Sequence, residues 1–180
     1  MLKLGDLVHL PQLDPLVDQL VADRPGLVIV AGFDPRLTSA PSNDSFLPSG
    51  RSAIFRILMD SILATRQKSR AIVVAEDKAF MQIPRQRRRQ ITRSQVELPL
   101  GYTDQIALAT HRRPDLLVID QLCAENALAV LDAVQAGTRV LTMLDTVFRG
   151  AGVARQLLDW GVPRERLNRS GQALTWVVTV

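Results

Sequence analysis

The sequence predicts an α/β domain built on a largely parallel sheet flanked by helices, and three observations carry that expectation. Short, continuous apolar runs recur along the chain, as strands covered on both faces require. Between them lie segments whose apolar residues fall at helical spacing, the alternation produced by strand–helix–strand crossovers. Several of the runs end abruptly in a glycine or an acidic residue, which marks the carboxyl ends of buried strands rather than the middle of long helices.

The first helical pattern covers residues 13–21, where Leu13, Leu16, Val17, Leu20 and Val21 share a face and Asp14-Pro15 supplies a start signal. Arg24-Pro25-Gly26 breaks it. Leu27-Val28-Ile29-Val30-Ala31 reads as a buried strand, and Gly32-Phe33-Asp34-Pro35 as a turn after it. Residues 33–49 are rich in Ser, Pro and Asn and read as an irregular loop. Helical spacing returns with Ile54, Ile57, Leu58 and Ile62. Ala71-Ile72-Val73-Val74 is a second strand, running into Glu76-Asp77.

Residues 91–96 read as a more exposed strand and 102–111 as a helix. Leu116-Leu117-Val118-Ile119 is a buried strand that stops at Asp120. A helix over 127–134 is closed by Gly137, a good helix-ending residue. Residues 139–144 form a strand ending at Asp145, residues 153–160 a helix closed by Gly161, and 174–180 a last strand. With no internal repeat and no low-complexity tail, residues 1–180 are expected to form one domain.

Composition narrows the function classes. Apolar residues make up 47% of the chain, in the range of soluble globular proteins. No apolar run approaches a membrane span, and Asp6 and His9 interrupt any signal-like start. A soluble, cytoplasmic protein without membrane insertion is the expectation. The single cysteine, Cys123, excludes an internal disulfide, and His9 and His111 lie too far apart to read as a zinc pair. The net charge is +4, and much of the excess sits in Arg85, Arg87, Arg88, Arg89 and Arg93. Such a cluster attracts phosphates or acidic partners, nucleic acid included, but no aromatic residues are interleaved for base stacking. A solvated loop between strands is the plainer reading.

Ligands of open α/β sheets bind beyond the carboxyl ends of the strands. In this chain those ends carry Gly32, followed after the loop by Ser49-Gly50-Arg51-Ser52-Ala53 at a helix start; then Glu76 and Asp77; then Asp120; then Asp145. Acidic strand ends beside a glycine-opened helix N-terminus are the layout of a phosphate and magnesium site. Each residue also has a purely structural alternative. Gly50 and Ser52 are good N-cap types, Asp120 and Asp145 suit the capping of turns, and Glu76-Asp77 suits a solvated strand end. Cys123 reads as a small packed residue, His111 as a surface residue near a helix C-terminus, and Trp160 as core.

Taken in order, the segments form a longer pattern. Leu27-Val28-Ile29-Val30-Ala31-Gly32 leads to Ser49-Gly50-Arg51-Ser52. Val74-Ala75-Glu76-Asp77 follows, then Arg113-Pro114-Asp115-Leu116-Leu117-Val118-Ile119-Asp120. Thr142-Met143-Leu144-Asp145-Thr146 and Leu157-Leu158-Asp159-Trp160-Gly161-Val162 complete it. This resembles the C-terminal ATPase domain of the type II secretion and type IV pilus assembly ATPases. That family shows a strand, a Walker A loop, an Asp box written V-E-D-P, a Walker B strand after Pro-Asp ending in Gly-Glu, and a His box written T-L-H-T.

The resemblance implies a RecA-like, P-loop NTPase-type sheet. It also implies a nucleotide site at Gly32, Ser49, Gly50, Arg51, Ser52 and Ala53, with ATP as ligand and Mg on Ser52 and Asp120. Asp120, Glu76, Asp77 and Asp145 then stand at the positions that carry catalysis. The partners it implies are like subunits in a ring, an inner-membrane platform protein and a cytoplasmic adaptor.

The chain departs from the family at each motif. Residues 33–49 separate Gly32 from Gly50, about a dozen more than the four of a Walker A loop. Arg51 stands in place of the lysine, a planar fork instead of a compact charge. Asp120 stands for the Walker B glutamate, one methylene shorter, after Ile119 in place of glycine. Asp145 stands for the His-box histidine and reverses the charge type there. The expected function is therefore a degenerate ATPase domain with a structural or regulatory role in a secretion or pilus complex. The alternatives are a working motor with an atypical phosphate loop, and a RecA-superfamily regulator or nucleic-acid-binding module using the arginine cluster.

Overall fold

The computed structural model describes residues 25–33, 50–65, 68–76, 87–97, 100–148, 151–168 and 174–179. The helical pattern at 13–21, the loop at 34–49 and residues Asp77, Arg85 and Val180 lie outside these.

Six strands are present among the described residues: β1 (Gly26–Phe33), β2 (Ala71–Ala75), β3 (Ile91–Gln95), β4 (Leu116–Ile119), β5 (Arg139–Thr146) and β6 (Leu174–Thr179). All neighbouring pairs are parallel, in the order β3-β2-β4-β5-β1-β6. Between the strands run α1 (Arg51–Thr65), α2 (Tyr102–His111), α3 (Ala127–Gln135), α4 (Gly152–Asp159) and α5 (Arg164–Asn168).

Strand alternation sorts the core into two layers. Val28 and Val30 of β1, Val73 of β2, Val118 of β4 and Leu141 and Met143 of β5 face α1, meeting Phe55, Leu58, Ile62 and Leu63. The residues between them (Leu27, Ile29, Val74, Leu117, Ile119, Val140, Leu144) face α2, α3 and α4, against Ile106, Val130, Leu131, Val153 and Leu157. Continuous apolar runs are thus needed because both faces are covered. Trp160 packs against the second layer, in line with the core reading, and Cys123 is half-buried with a free thiol.

The helices change face where the chain changes direction across the sheet. From β1, α1 carries the chain over β5 and β4 to β2 on one face; α2 and α3 carry it back through β4 to β5 on the other. Opposite directions on opposite faces keep one hand of crossover, as parallel sheets require. Consequently β1 and β5, which are neighbours, send their chains to opposite faces, and a crevice opens between their carboxyl ends.

Two expectations are corrected in detail, and one short helix was not anticipated. Gly32 and Phe33 continue β1 instead of turning, and β5 runs through Asp145 to Thr146, because these residues pair with one another: Gly32 with Asp145 and Phe33 with Thr146. Ladder partners satisfy backbone groups that a turn would otherwise have had to satisfy. The short α5, with sequence Arg-Glu-Arg-Leu-Asn, has no apolar periodicity to announce it.

Candidate functional site

The carboxyl edge of the sheet brings the marked residues together in strand order: Glu76 after β2, Asp120 after β4, Asp145 in β5 and Gly32 in β1. They are not at one level. Ile119 pairs with Thr142, which sets Asp120 level with Met143, whereas Asp145 is level with Gly32. Asp145 therefore stands about 7 Å further along the strand direction, at roughly 3.3 Å per residue. The acidic residues form two separate groups.

In the first group, Asp120 is buried, with 7% of its surface exposed. The alternation that points Leu116 and Val118 at α1 would send Asp120 the same way. The chain bends there, and the carboxylate turns to the other face. Its Oδ1 accepts from the Tyr102 hydroxyl at 2.7 Å and its Oδ2 from the backbone N–H of Glu76 at 2.9 Å. Asp120 thus ties the ends of β2 and β4 to the start of α2. Burial first, and then the hydrogen bond and charge of Asp120, push the Tyr102 phenol well above its ordinary range, so it remains a neutral donor. The Glu76 side chain is exposed.

In the second group, Asp145 shares the parity of Leu141 and Met143 and so faces α1. There it forms an ion pair with Arg51, the first residue of that helix. Arg51 donates to Oδ1, and the Gln121 amide donates to Oδ2 at 3.1 Å. The Asp145 carbonyl accepts from the Gln156 amide of α4 at 3.3 Å. Gly50, at φ 74°, opens α1, and its carbonyl accepts from the N–H groups of Ala53 and Ile54. Gly50 is therefore the N-cap, and Ser52 sits exposed inside the first turn, not at the cap. Ala53 is exposed beside it, and Ser49 lies outside the described residues.

Asn126 braces the loop that carries Gln121. It is fully buried in the loop between β4 and α3; its Oδ1 accepts from the Cys123 N–H at 3.0 Å and its Nδ2 donates to the Gln121 carbonyl at 2.8 Å. Tyr102, Gln121, Asn126 and Gln156 were not marked by the sequence. Two of them carried a usable signal: Tyr102 is the only tyrosine in the chain, and Gln121 directly follows a strand-end aspartate.

Other candidate features fall elsewhere. Arg87 donates to Asp60 of α1 at 2.9 Å, while Arg88, Arg89 and Arg93 are exposed around edge strand β3, so the cluster is partly tied down. His111 is exposed in the last turn of α2, as expected. A groove of about 870 Å³ between α2 and α3 opens at the amino end of the sheet, where Arg113, Asp115 and Arg139 line it. It holds none of the strand-end residues and lies at the end of the sheet opposite to where such folds bind ligands. Among the described residues, no group of His, Cys, Asp and Glu is arranged to hold a metal ion, and no helix is long and apolar enough to cross a membrane.

No family model and no curated protein matches the chain. Solved structures do. The Legionella pneumophila ATPase DotB is 23% identical, with a TM-score of 0.62 over 93% of this chain. The pilus retraction motor PilT, solved with bound ADP, is 18% identical, with a TM-score of 0.61 over 85%. The VirB11 ATPase of the Brucella suis type IV secretion system, solved with sulphate, is 13% identical, with a TM-score of 0.51 over 78%. The chain spans about two fifths of the length of these proteins: 42%, 40% and 38%. It has the RecA-like fold of the secretion and pilus ATPases, as its motif order implies.

Proposed function

We propose that this domain is a degenerate ATPase domain, one that serves a secretion or pilus complex through contacts and does not turn over ATP at a useful rate. The observation that carries this reading is the placement of Asp120. The carboxylate in the Walker B position has to face the nucleotide and orient a water. Here it is buried, turned to the α2 face, and holds Tyr102 on one oxygen and the Glu76 backbone on the other. A carboxylate that is one methylene shorter and held by these contacts is displaced from a nucleotide-facing position, and even a 1 Å misplacement can cost about 100-fold in rate. Like subunits and membrane-platform proteins are the proposed partners, a reading supported by one fold neighbour being a pilus retraction motor and another the ATPase of a type IV secretion system.

The second reading, a motor with an atypical phosphate loop, is favoured by the start of α1. Gly50 at positive φ, Arg51 and the exposed Ser52 hydroxyl keep the order of a phosphate and magnesium site. Steady-state ATP turnover with magnesium separates the two. The expected result is no turnover above background, in the natural protein and in Arg51→Lys alike. Turnover that disappears on Asp120→Ala would overturn the degenerate reading and establish the motor.

A further inference from the structure

We infer that the outer edge of β3 takes up an extended acidic segment of a partner protein as a seventh strand of the sheet. β3 stands three places from β5 in the strand order, so this edge is separate from the nucleotide-site placement and the inference does not depend on it. The backbone lays out the edge. Where β2 and β3 begin to pair, the Ala71 N–H donates to the Gln90 carbonyl at 2.8 Å; where they end, the Val96 N–H donates to the Ala75 carbonyl at 2.9 Å. Backbone direction alternates along a strand, so residues 90, 92, 94 and 96 turn their N–H and C=O groups to β2. Ile91, Arg93 and Gln95 turn theirs the other way, and among the described residues no strand pairs with that side. An open edge of this kind is a template for another strand.

Side chains decide which strand fits. Arg88, Arg89 and Arg93 are exposed at this edge, and among the described residues none of them has an acidic partner, whereas Arg87 is held by Asp60. A second copy of this chain is a poor occupant, because pairing β3 with β3 brings three guanidiniums from each chain to one seam, where like charges repel. An apolar strand is no better served, since the one large apolar residue of β3, Ile91, is already buried against the core. A strand with carboxylates at alternate positions suits the edge, because alternate side chains of an added strand share the face on which Arg93 stands. Nucleic acid would meet the arginines, but it cannot continue a ladder of alternating N–H and C=O groups, and no aromatic residue stands among the arginines for stacking. Main-chain hydrogen bonds thus select an extended polypeptide, and the arginines select its charge.

The probe is a blocked eight-residue peptide of alternating glutamate and valine, labelled with a fluorophore and followed by anisotropy against the whole natural chain. It should bind below millimolar concentration. Methylating the peptide amides at every second residue removes the donors from one side of the strand only. One of the two alternate patterns should abolish binding and the other should leave it, a result that needs no variant to fold. Gln95→Pro deletes one outward N–H while leaving the ladder to β2 intact, a placement that an edge strand tolerates, and it should weaken the peptide about fivefold. Arg93→Gln should weaken it by a similar factor, and added salt should shrink that difference. The same response to both methylation patterns would overturn the inference. So would an oligothymidylate of equal charge that binds as tightly as the peptide, which would mark the edge as a nucleic-acid surface instead. Absence of peptide binding at millimolar concentration would overturn it as well.

Discussion

Replacing Tyr102 by phenylalanine removes one hydroxyl and interrogates the placement of Asp120 directly. The hydroxyl donates to a carboxylate that is only 7% exposed. A hydrogen bond to a charged group contributes about 1.5–3 kcal/mol. For a domain of this size, about 2–4 °C of Tm accompanies each kcal/mol, so the variant should melt roughly 3–12 °C lower. The pH dependence gives a second, independent readout. In the unfolded chain the phenol ionises near 10. In the folded chain its pKa is raised, by burial first and by Asp120 next. The folded state therefore keeps its proton longer than the unfolded state. The contribution is complete below about pH 10 and declines as pH rises above it, by about 1.4 kcal/mol per pH unit from this group. Tyr102→Phe should lack that component of the alkaline slope. Since the chain has a single tyrosine, phenolate absorbance follows this group alone. No phenolate should form near pH 10 while the protein stays folded. A phenol that titrates at its ordinary value in the folded protein, or a Phe variant within about 0.5 kcal/mol of the natural protein, would refute the tie between α2 and the end of β4.

Two further outcomes follow from single positions. Asn126→Ala leaves the Cys123 N–H and the Gln121 carbonyl without their partner in a fully buried loop, and chemical denaturation should show a loss of about 2–4 kcal/mol with an unchanged slope. Gly137→Ala should cost about 1–2 kcal/mol from backbone conformation alone, because Gly137 sits at φ 92° while an added Cβ would meet no atom within 4 Å; Gly137→Asn, which tolerates that conformation better, should recover part of the loss.

The scaffold was legible because its signals are local. Residues 102–111 and 116–119 fold over the spans their patterning predicts, and β2 runs one residue beyond its apolar run. Burial on both faces demands an uninterrupted apolar strand, and a half-covered helix demands helical spacing. The ends of β1 and β5 were underestimated because Gly32, Phe33, Asp145 and Thr146 look like turn material until each finds the other. The site was legible by position but not by contact. Arg51 and Asp145 could both be marked as strand-end or helix-start residues, yet their pairing spans 94 positions and depends on β5 lying beside β1. The diversion of Asp120 to Tyr102 depends on a bend that alternation argues against.

The two acidic groups bear on one another. A carboxylate that takes part in turnover has to exchange partners as charge moves, and the energy of its resting partners adds to the barrier. Releasing Asp120 from the Tyr102 hydroxyl and the Glu76 N–H breaks two hydrogen bonds to a charged, buried group, about 3–6 kcal/mol together. That alone corresponds to roughly 10²–10⁴ in rate. Asp145 is more exposed, 37% for its side chain, so its pair with Arg51 is weaker and solvent screens it. The two carboxylates therefore differ in how firmly they are held. On the proposed degenerate reading, Asp120 is held back from turnover by buried contacts that Tyr102→Phe alone does not release, because its bond to the Glu76 N–H remains.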